Sequence, residues 1–319
     1  MEPEDVALFE RSLVVATQRA NGSDLDAALE DLGWPDALVD DPQVAVSLLF
    51  GLQGEAGTTS SALGRVMAHA LGLADGSATV LPAVGGFAPP GTVDGNRLRV
   101  NGLAPGTLVD RPTALVVAST GGGGTTACMV PTASLELFPV TGVDPDMGLL
   151  RVTGDAEAFE TMEDVSAEDW TAAVALGRRA VAHELIGASR TMLDLACDHA
   201  RGRIQFDRPI ASFQAVRHRL AETLVAIAMA EAMLEASWLD PTSDSSAMAK
   251  AVAGRQAKTT ARHCQQVLAG IGFTMEHPFH RYVRRTLVLD ALLGTAASLT
   301  KALGVELVDH RRLPPLLPL

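Results

Sequence analysis

The chain has 319 residues, 25 Lys and Arg against 38 Asp and Glu for a net charge of −13, and 47% hydrophobic but only 4% aromatic residues. That length predicts two or three modules with ample apolar material for a core. The acidic balance excludes nucleic acid or an anionic membrane as the main partner, because phosphates are gripped by clustered Lys and Arg.

The N-terminus MEPEDVALFERSL is acidic where a signal peptide would be basic, and no apolar run approaches the roughly 20 residues of a spanning helix, so a soluble, cytoplasmic protein is expected. Residues 4–20, 25–32, 43–55 and 60–73 carry apolar positions at helical spacing, with Asp24 and Ser60 as expected caps. Residues 1–74 are therefore expected to form a helical unit. Composition changes near Gly76, and residues 75–165 are rich in Gly, Pro, Val and Thr, with short runs such as RLRV, ALVVAS and ACMVP that read as antiparallel strands. Asp94-Gly95 and the run Gly121–Gly124 read as hairpin turns. No Lys-Ser/Thr follows those four glycines, which argues against a phosphate loop.

Residues 166–319 return to long helices, expected over 168–202, 211–238, 245–270 and 286–308, each long enough to span a four-helix bundle. The tail RRLPPLLPL cannot continue the last of them, because proline lacks the amide donor. Cys128, Cys197 and Cys264 are widely spaced and odd in number, which fits small buried thiols and neither a disulfide framework nor a CxxC metal site.

Two blocks carry chemistry. Arg203-Ile204-Gln205-Phe206-Asp207-Arg208-Pro209-Ile210 is followed by Ser212-Phe213-Gln214, and further on comes Gln266-Val267-Leu268-Ala269-Gly270-Ile271-Gly272-Phe273, with Arg284 behind it. A dinucleotide offers a pyrophosphate and an adenine. Arg203 supplies a planar bidentate cation for the first, Phe206 an aromatic face, Gln205, Gln214 and Gln266 amide contacts, and Gly270 a bare backbone. Together the blocks resemble the carboxy-terminal domain of the acyl-CoA dehydrogenase family, in which R-x-x-F-G-x-P-I-x-x-F-Q and Q-x-x-G-G-x-G-[FY] recur at this separation. The resemblance implies a mainly α fold with a helical N-terminal domain, a small β-barrel-like middle domain and a C-terminal four-helix bundle. It also implies that Arg203, Gln205, Phe206, Gln214, Gln266 and Gly270 reach the adenosine and pyrophosphate half of an FAD held by a neighbouring subunit.

The same resemblance exposes what is missing. Members of the family abstract the α-proton of a CoA thioester with a Glu that precedes Gly-Thr near the last long helix, and Leu293 occupies that position in Leu292-Leu293-Gly294-Thr295. Other members carry the Glu on the first bundle helix, one residue before an Arg, and here that position is Gly177, followed by Arg178. No catalytic residue is thus expected in this chain. Ala297 replaces a flavin-contacting Gln, and the middle domain lacks the aromatic-Ile-Thr element. Keeping what reaches a neighbour's cofactor while losing what holds its own resembles the short β-type subunit of actinobacterial heteromeric acyl-CoA dehydrogenases of steroid catabolism. That resemblance implies an α2β2 assembly with a partner chain that supplies the catalytic Glu and shares the FAD, acting on a bulky CoA thioester. Two other readings stand beside it: a self-sufficient homo-oligomer with Glu184 as a relocated base, and a catalytically dead scaffold subunit.

Other residues point elsewhere less strongly. His183-Glu184 lies mid-helix, where a surface or interface ion pair with Arg178 or Arg179 is the plainer expectation. Glu276, His277 and His280 lack a coherent metal-ligand spacing, so no metal site is expected. Glu231 and Glu235, one turn apart, read as a solvated face, and VAIAMAEAML reads as bundle core.

Overall fold

The computed structural model describes residues 1–73 and 78–311; the composition change at Gly76 and the tail from Pro314 to Leu319 lie outside the described residues. Five helices open the chain: α1 (Pro3–Arg19), α2 (Ser23–Asp31), α3 (Trp34–Asp40), α4 (Pro42–Ala56) and α5 (Ala62–Ala70). They close over Leu13, Leu25, Trp34, Leu49 and Phe50, and the Trp34 indole donates to Ala45 O at 3.0 Å. Helix α3 is not anticipated by the sequence, and the caps differ from expectation. Asp24 lies within the first turn of α2, Ser61 rather than Ser60 stands at the start of α5, and Asp41 caps α4 by accepting from Val44 N at 3.1 Å.

Nine short strands follow: β1 (Ala78–Thr79), β2 (Leu81–Pro82), β3 (Gly91–Asp94), β4 (Arg97–Pro105), β5 (Thr113–Thr120), β6 (Thr125–Pro131), β7 (Glu136–Pro139), β8 (Leu149–Ala156) and β9 (Glu160–Val165). Their order is β7-β8-β4-β3-β5-β6-β9, with β1 against β5 and β2 against β4. Both expected hairpins form. Asp94 pairs with Arg97 across a turn containing Gly95, and Ser119 pairs with Thr125 across the Gly121–Gly124 run. Alternate residues of β4 are buried, as a half-covered strand requires, and the inner face packs Leu98, Val100, Val116, Val130 and Val152.

The third part is built on α6 (Ala167–Gly202), whose start is fixed by a reciprocal capping box between Ser166 and Asp169. A small hairpin of β10 (Ile204–Gln205) and β11 (Arg208–Pro209) leads into α7 (Gln214–Leu239), α8 (Ser243–Leu268), α9 (Phe279–Ala291) and α10 (Ala296–His310). The expected single helix over 286–308 is therefore two helices, broken at Leu292–Thr295, where Leu293 has φ 56° and Gly294 φ 100°. Phe279–Asp309 is long and apolar enough by composition to cross a bilayer, contrary to the sequence expectation, but it is divided by that break and carries the buried Arg285 and Asp290. Helix α6 approaches α4 so closely that a Cβ on Gly187 would stand 2.1 Å from Gly51 O. This contact fixes the N-terminal helices against the bundle. The architecture is the mainly α fold with a small β domain and a C-terminal helical bundle that the sequence predicts.

Candidate functional site

The two sequence blocks meet at one end of the bundle. The last turns of α6 and α8 pack through Met192, Ala196, Ala200, Cys264, Val267 and Leu268, with Phe279 of α9 beneath and Ile210 and Val216 against them. On this base Arg203 ends α6, and β10 and β11 form a two-residue hairpin over Phe206 and Asp207, both left-handed at φ 52° and 60°. Positive φ at both central residues is the primed turn that matches the strand twist. It costs more at these residues than at glycine, and it lifts Phe206 into solvent, 86% exposed. Arg208 lies over the Phe213 ring at 4.3 Å, and Phe206 meets the same ring edge-on. Gln205 donates to Ile204 O at 2.8 Å, and Gln214 begins α7 exposed.

Alongside, Gln266 is exposed on the last turn of α8, Ala269 turns the chain at φ 50°, and a Cβ on Gly270 would meet nothing within 4 Å. Gln266, Ala269, Gly270 and Phe273 line one surface groove with Arg262 and Gln265. Arg203 makes no ion pair with the described residues. A bare backbone groove, the exposed amides of Gln214 and Gln266, an uncommitted guanidinium and an exposed aromatic face fit the pyrophosphate and adenosine half of a dinucleotide. Ile204, Phe206, Phe273 and Met275 leave a large apolar surface uncovered around it.

The two positions at which the resemblance places a base lie against each other. A Cβ on Gly177 of α6 would stand 2.7 Å from Leu293 Cδ1 and 3.2 Å from Met67 Cγ, and Leu293 is 2% exposed. Two buried basic side chains hold the backbone of this break. Arg178 Nε donates to Leu293 O at 3.1 Å, and Lys250 Nζ donates to Asp290 O and Gly294 O, each at 3.0 Å. Burial lowers the Arg178 pKa to about 10 and the Lys250 pKa to about 7. The guanidinium of Arg178 lies 5.0 Å from the Phe87 ring, and the Phe87 carbonyl accepts from the Trp170 indole at 3.0 Å. Ala297 is exposed on the first turn of α10.

His183 and Glu184 are buried rather than on the helix surface. Glu184 pairs with Arg285 of α9, 101 residues away in sequence, through Arg285 Nε at 3.0 Å and through Nη2, which also donates to Thr58 O. Neither Arg178 nor Arg179 is its partner. Burial raises the Glu184 pKa, and Arg285 opposes that rise. His183 accepts from the Trp238 indole at 3.0 Å and is kept neutral by burial, its pKa lowered to about 4. Sequence reasoning missed this pair because its cation comes from α9.

The remaining expectations divide. His277 accepts from Phe279 N at 3.2 Å. Glu231 is half-buried and bonded to Arg190 at 2.8 Å, so only Glu235 is on a wet face. In VAIAMAEAML, Ala226, Ile227, Ala230 and Leu234 are core, but Val225 and Met229 are exposed. Cys128 and Cys264 are buried thiols raised to about 11 and about 12, whereas Cys197 is half-buried.

The family model for the acyl-CoA dehydrogenase C-terminal domain matches residues 169–307. Acyl-CoA dehydrogenase IpdE2 of Mycobacterium tuberculosis is 35% identical over 168 residues, covering 53% of this chain and 51% of that protein. The chain spans about half the length, or less, of the curated relatives it matches first. Among solved structures, a variant of the Tcur3481-Tcur3483 steroid ACAD aligns at TM-score 0.80 and 20% identity, covering 97% of this chain and 99% of that one. The ChsE4-ChsE5 complex from Mycobacterium tuberculosis contains a chain that aligns at TM-score 0.80 and 20% identity over 99% of each. At this identity the two structures show the shared fold.

Proposed function

The chain belongs to the acyl-CoA dehydrogenase family through its C-terminal half, and from that premise we propose that it is the subunit without a base in a heteromeric, FAD-dependent acyl-CoA dehydrogenase. The observation that carries this reading is the contact of Leu293 with Gly177. Both positions where a carboxylate is expected are hydrocarbon or bare, and neither accepts a proton. Glu184 does not replace them: it is spent on Arg285 and stands seven residues, about 10 Å of helix, beyond Gly177.

In this reading a partner chain of the same family supplies the Glu that takes the α-proton, and FAD supplies the hydride acceptor. This chain binds and orients. Arg203 holds the pyrophosphate, Gln205 and Gln214 flank the ribityl-adenine half, Phe206 covers an apolar face, and Gln266 with the Gly270 backbone receives the adenosine. The exposed apolar surface around Phe206 and Phe273 is then covered by the partner in an α2β2 tetramer. The similarity of the fold to a chain of the ChsE4-ChsE5 complex supports a two-chain assembly. Similarity to a steroid ACAD supports a bulky, steroid-derived CoA thioester as substrate.

The test is flavin absorbance and native mass, for this chain alone and co-expressed with a base-carrying partner. A colourless chain that becomes a yellow α2β2 complex, with one FAD per pair of chains, is the expected result. A yellow homo-oligomer overturns it.

A further inference from the structure

Away from the flavin-facing end, we propose that the groove between α4, α6 and α7 is a ligand site of its own, fitted to a small organic cation: an arylalkylamine that carries a hydroxyl at the end opposite its ammonium group. The groove encloses about 290 Å³ and is lined by residues of these three helices. None of them belongs to the flavin-facing end or to the contact of Gly177 with Leu293. The site is therefore independent of the reading above.

One wall of the groove is bare backbone. Gly54 of α4 is glycine by necessity, since a Cβ there would stand 2.2 Å from Glu184 O, but a Cβ on Gly51 would meet nothing within 4 Å. Packing does not require glycine at position 51, and inside a helix glycine is the poorest residue after proline. The effect of the missing side chain is to keep the groove open.

The flanking helices α6 and α7 give the groove two different ends. His183 meets Trp238 at one and Arg190 meets Glu231 at the other, seven residues or about 10 Å apart along each helix. His183 Nε2 accepts from the Trp238 indole, so the proton of the neutral ring sits on Nδ1. Nothing among the described residues accepts from this Nδ1–H, and the atom is not sealed from solvent. A hydrogen-bond donor is thus available at this end. Toward the other end the charge does not balance. Arg190 is bonded to Glu231 at 2.8 Å and to Glu55 at 3.5 Å, whereas Glu235, one turn from both Glu231 and Trp238, has no hydrogen bond or ion pair among the described residues. Two carboxylates and one guanidinium line the groove, which leaves one negative charge in excess. Between the two ends, Ile186 and Leu234 supply an apolar wall.

A hydroxylated arylalkylamine matches all three features. Its ammonium group pairs with Glu235, its ring lies against Ile186, Leu234 and the Trp238 indole, and its hydroxyl oxygen accepts from His183 Nδ1–H. A carboxylate in place of the ammonium sets like charges together. Removing the hydroxyl leaves the His183 donor without an acceptor, and a site built to hydrogen-bond a polar group discriminates against the analogue lacking it.

Isothermal titration of the full chain near neutral pH with tyramine, phenethylamine and 3-(4-hydroxyphenyl)propanoate tests this. Tyramine is expected to bind at least about tenfold tighter than the propanoate, a difference of about 1.4 kcal/mol, and about threefold or more tighter than phenethylamine. Gly51→Leu fills the groove from its bare wall and should weaken tyramine by at least about tenfold, with the urea midpoint of the chain unchanged or raised because a better helix former replaces glycine. Glu235→Gln, at an exposed position, should weaken tyramine by about two- to fivefold, as loss of one exposed ion pair does. Equal binding of tyramine and the propanoate, or of tyramine and phenethylamine, overturns the proposal, as does no binding of tyramine or undiminished binding to Gly51→Leu. None of these readouts involves flavin, so a failure here leaves the subunit reading standing, and a failure of that reading leaves this one standing.

Discussion

The tip of Leu293 fills the space that a side chain on Gly177 would need, with Cδ1 2.7 Å from the position of the missing Cβ. The glycine of one helix and the leucine of a helix break thus form a single packing unit. Gly177→Ala gains about 1 kcal/mol of helix propensity but overpacks a buried contact at a cost of about 1–3 kcal/mol. Net destabilisation of about 1 kcal/mol is expected. Leu293→Ala alone should cost about 2–4 kcal/mol, whereas the double variant should cost less than the sum, because each change makes room for the other. Urea midpoints for the four chains measure the coupling; strict additivity would mean that the two side chains do not compete for this space.

Arg203 is exposed and makes no ion pair with the described residues, so its value lies in what it binds. Arg203→Ala should leave the chain's own unfolding midpoint within about 0.5 kcal/mol, as surface substitutions do. In the co-expressed complex it should weaken FAD retention by about ten- to a hundredfold, the loss of a charge-assisted hydrogen bond worth about 1.5–3 kcal/mol. Equilibrium dialysis of the yellow complex reads this. Full flavin occupancy and activity after the change would favour a scaffold that never touches the cofactor.

What the sequence reveals and what it hides follow from contact range. The helix over 168–202 is legible because Ser166, Asp169 and the Ala-rich run after them are local signals, and the β5–β6 hairpin because four glycines sit between two apolar runs. The break at Leu292–Thr295 is not, since LVLDALLGTAASL keeps an unbroken apolar pattern. The chain turns there because Arg178 and Lys250, from α6 and α8, take the carbonyls of Leu293, Asp290 and Gly294. Trp34–Asp40 escapes notice because seven residues are too few for a periodic signal. The flavin-facing residues are legible as a set only through their resemblance to a family pattern, because exposed polar side chains leave no hydrophobic period to read.

The Glu184–Arg285 pair joins α6 to α9 and, through Thr58 O, to the segment between α4 and α5. Arg285→Met strands a buried carboxylate and should cost about 3–5 kcal/mol. Glu184→Leu combined with Arg285→Met removes both charges, and its cost should be smaller than that of Arg285→Met alone despite carrying two changes. Chemical denaturation of the two variants decides the point. If the double variant is the less stable, the pair contributes more than it costs to bury.

Lys250 gives the chain an alkaline signature. Burial is the main cause of its pKa falling from 10.5 to about 7, against the pull of Asp290. The neutral amine keeps two N–H groups, matching the two carbonyls it serves. Between about pH 7 and 10.5 the unfolded chain retains a proton that the folded chain has released, so stability rises with pH across that interval. The interval is cleanest below pH 9, the ordinary thiol value, because the raised Cys128 and Cys264 reverse the slope above it. From pH 7 to 9 this one group should add about 2–3 kcal/mol. Lys250→Met loses the two hydrogen bonds at every pH and should also lose the slope. Parallel pH profiles of unfolding free energy for the two chains would show that Lys250 stays charged in the fold, and that a buried ammonium rather than an amine holds the break carrying Leu293.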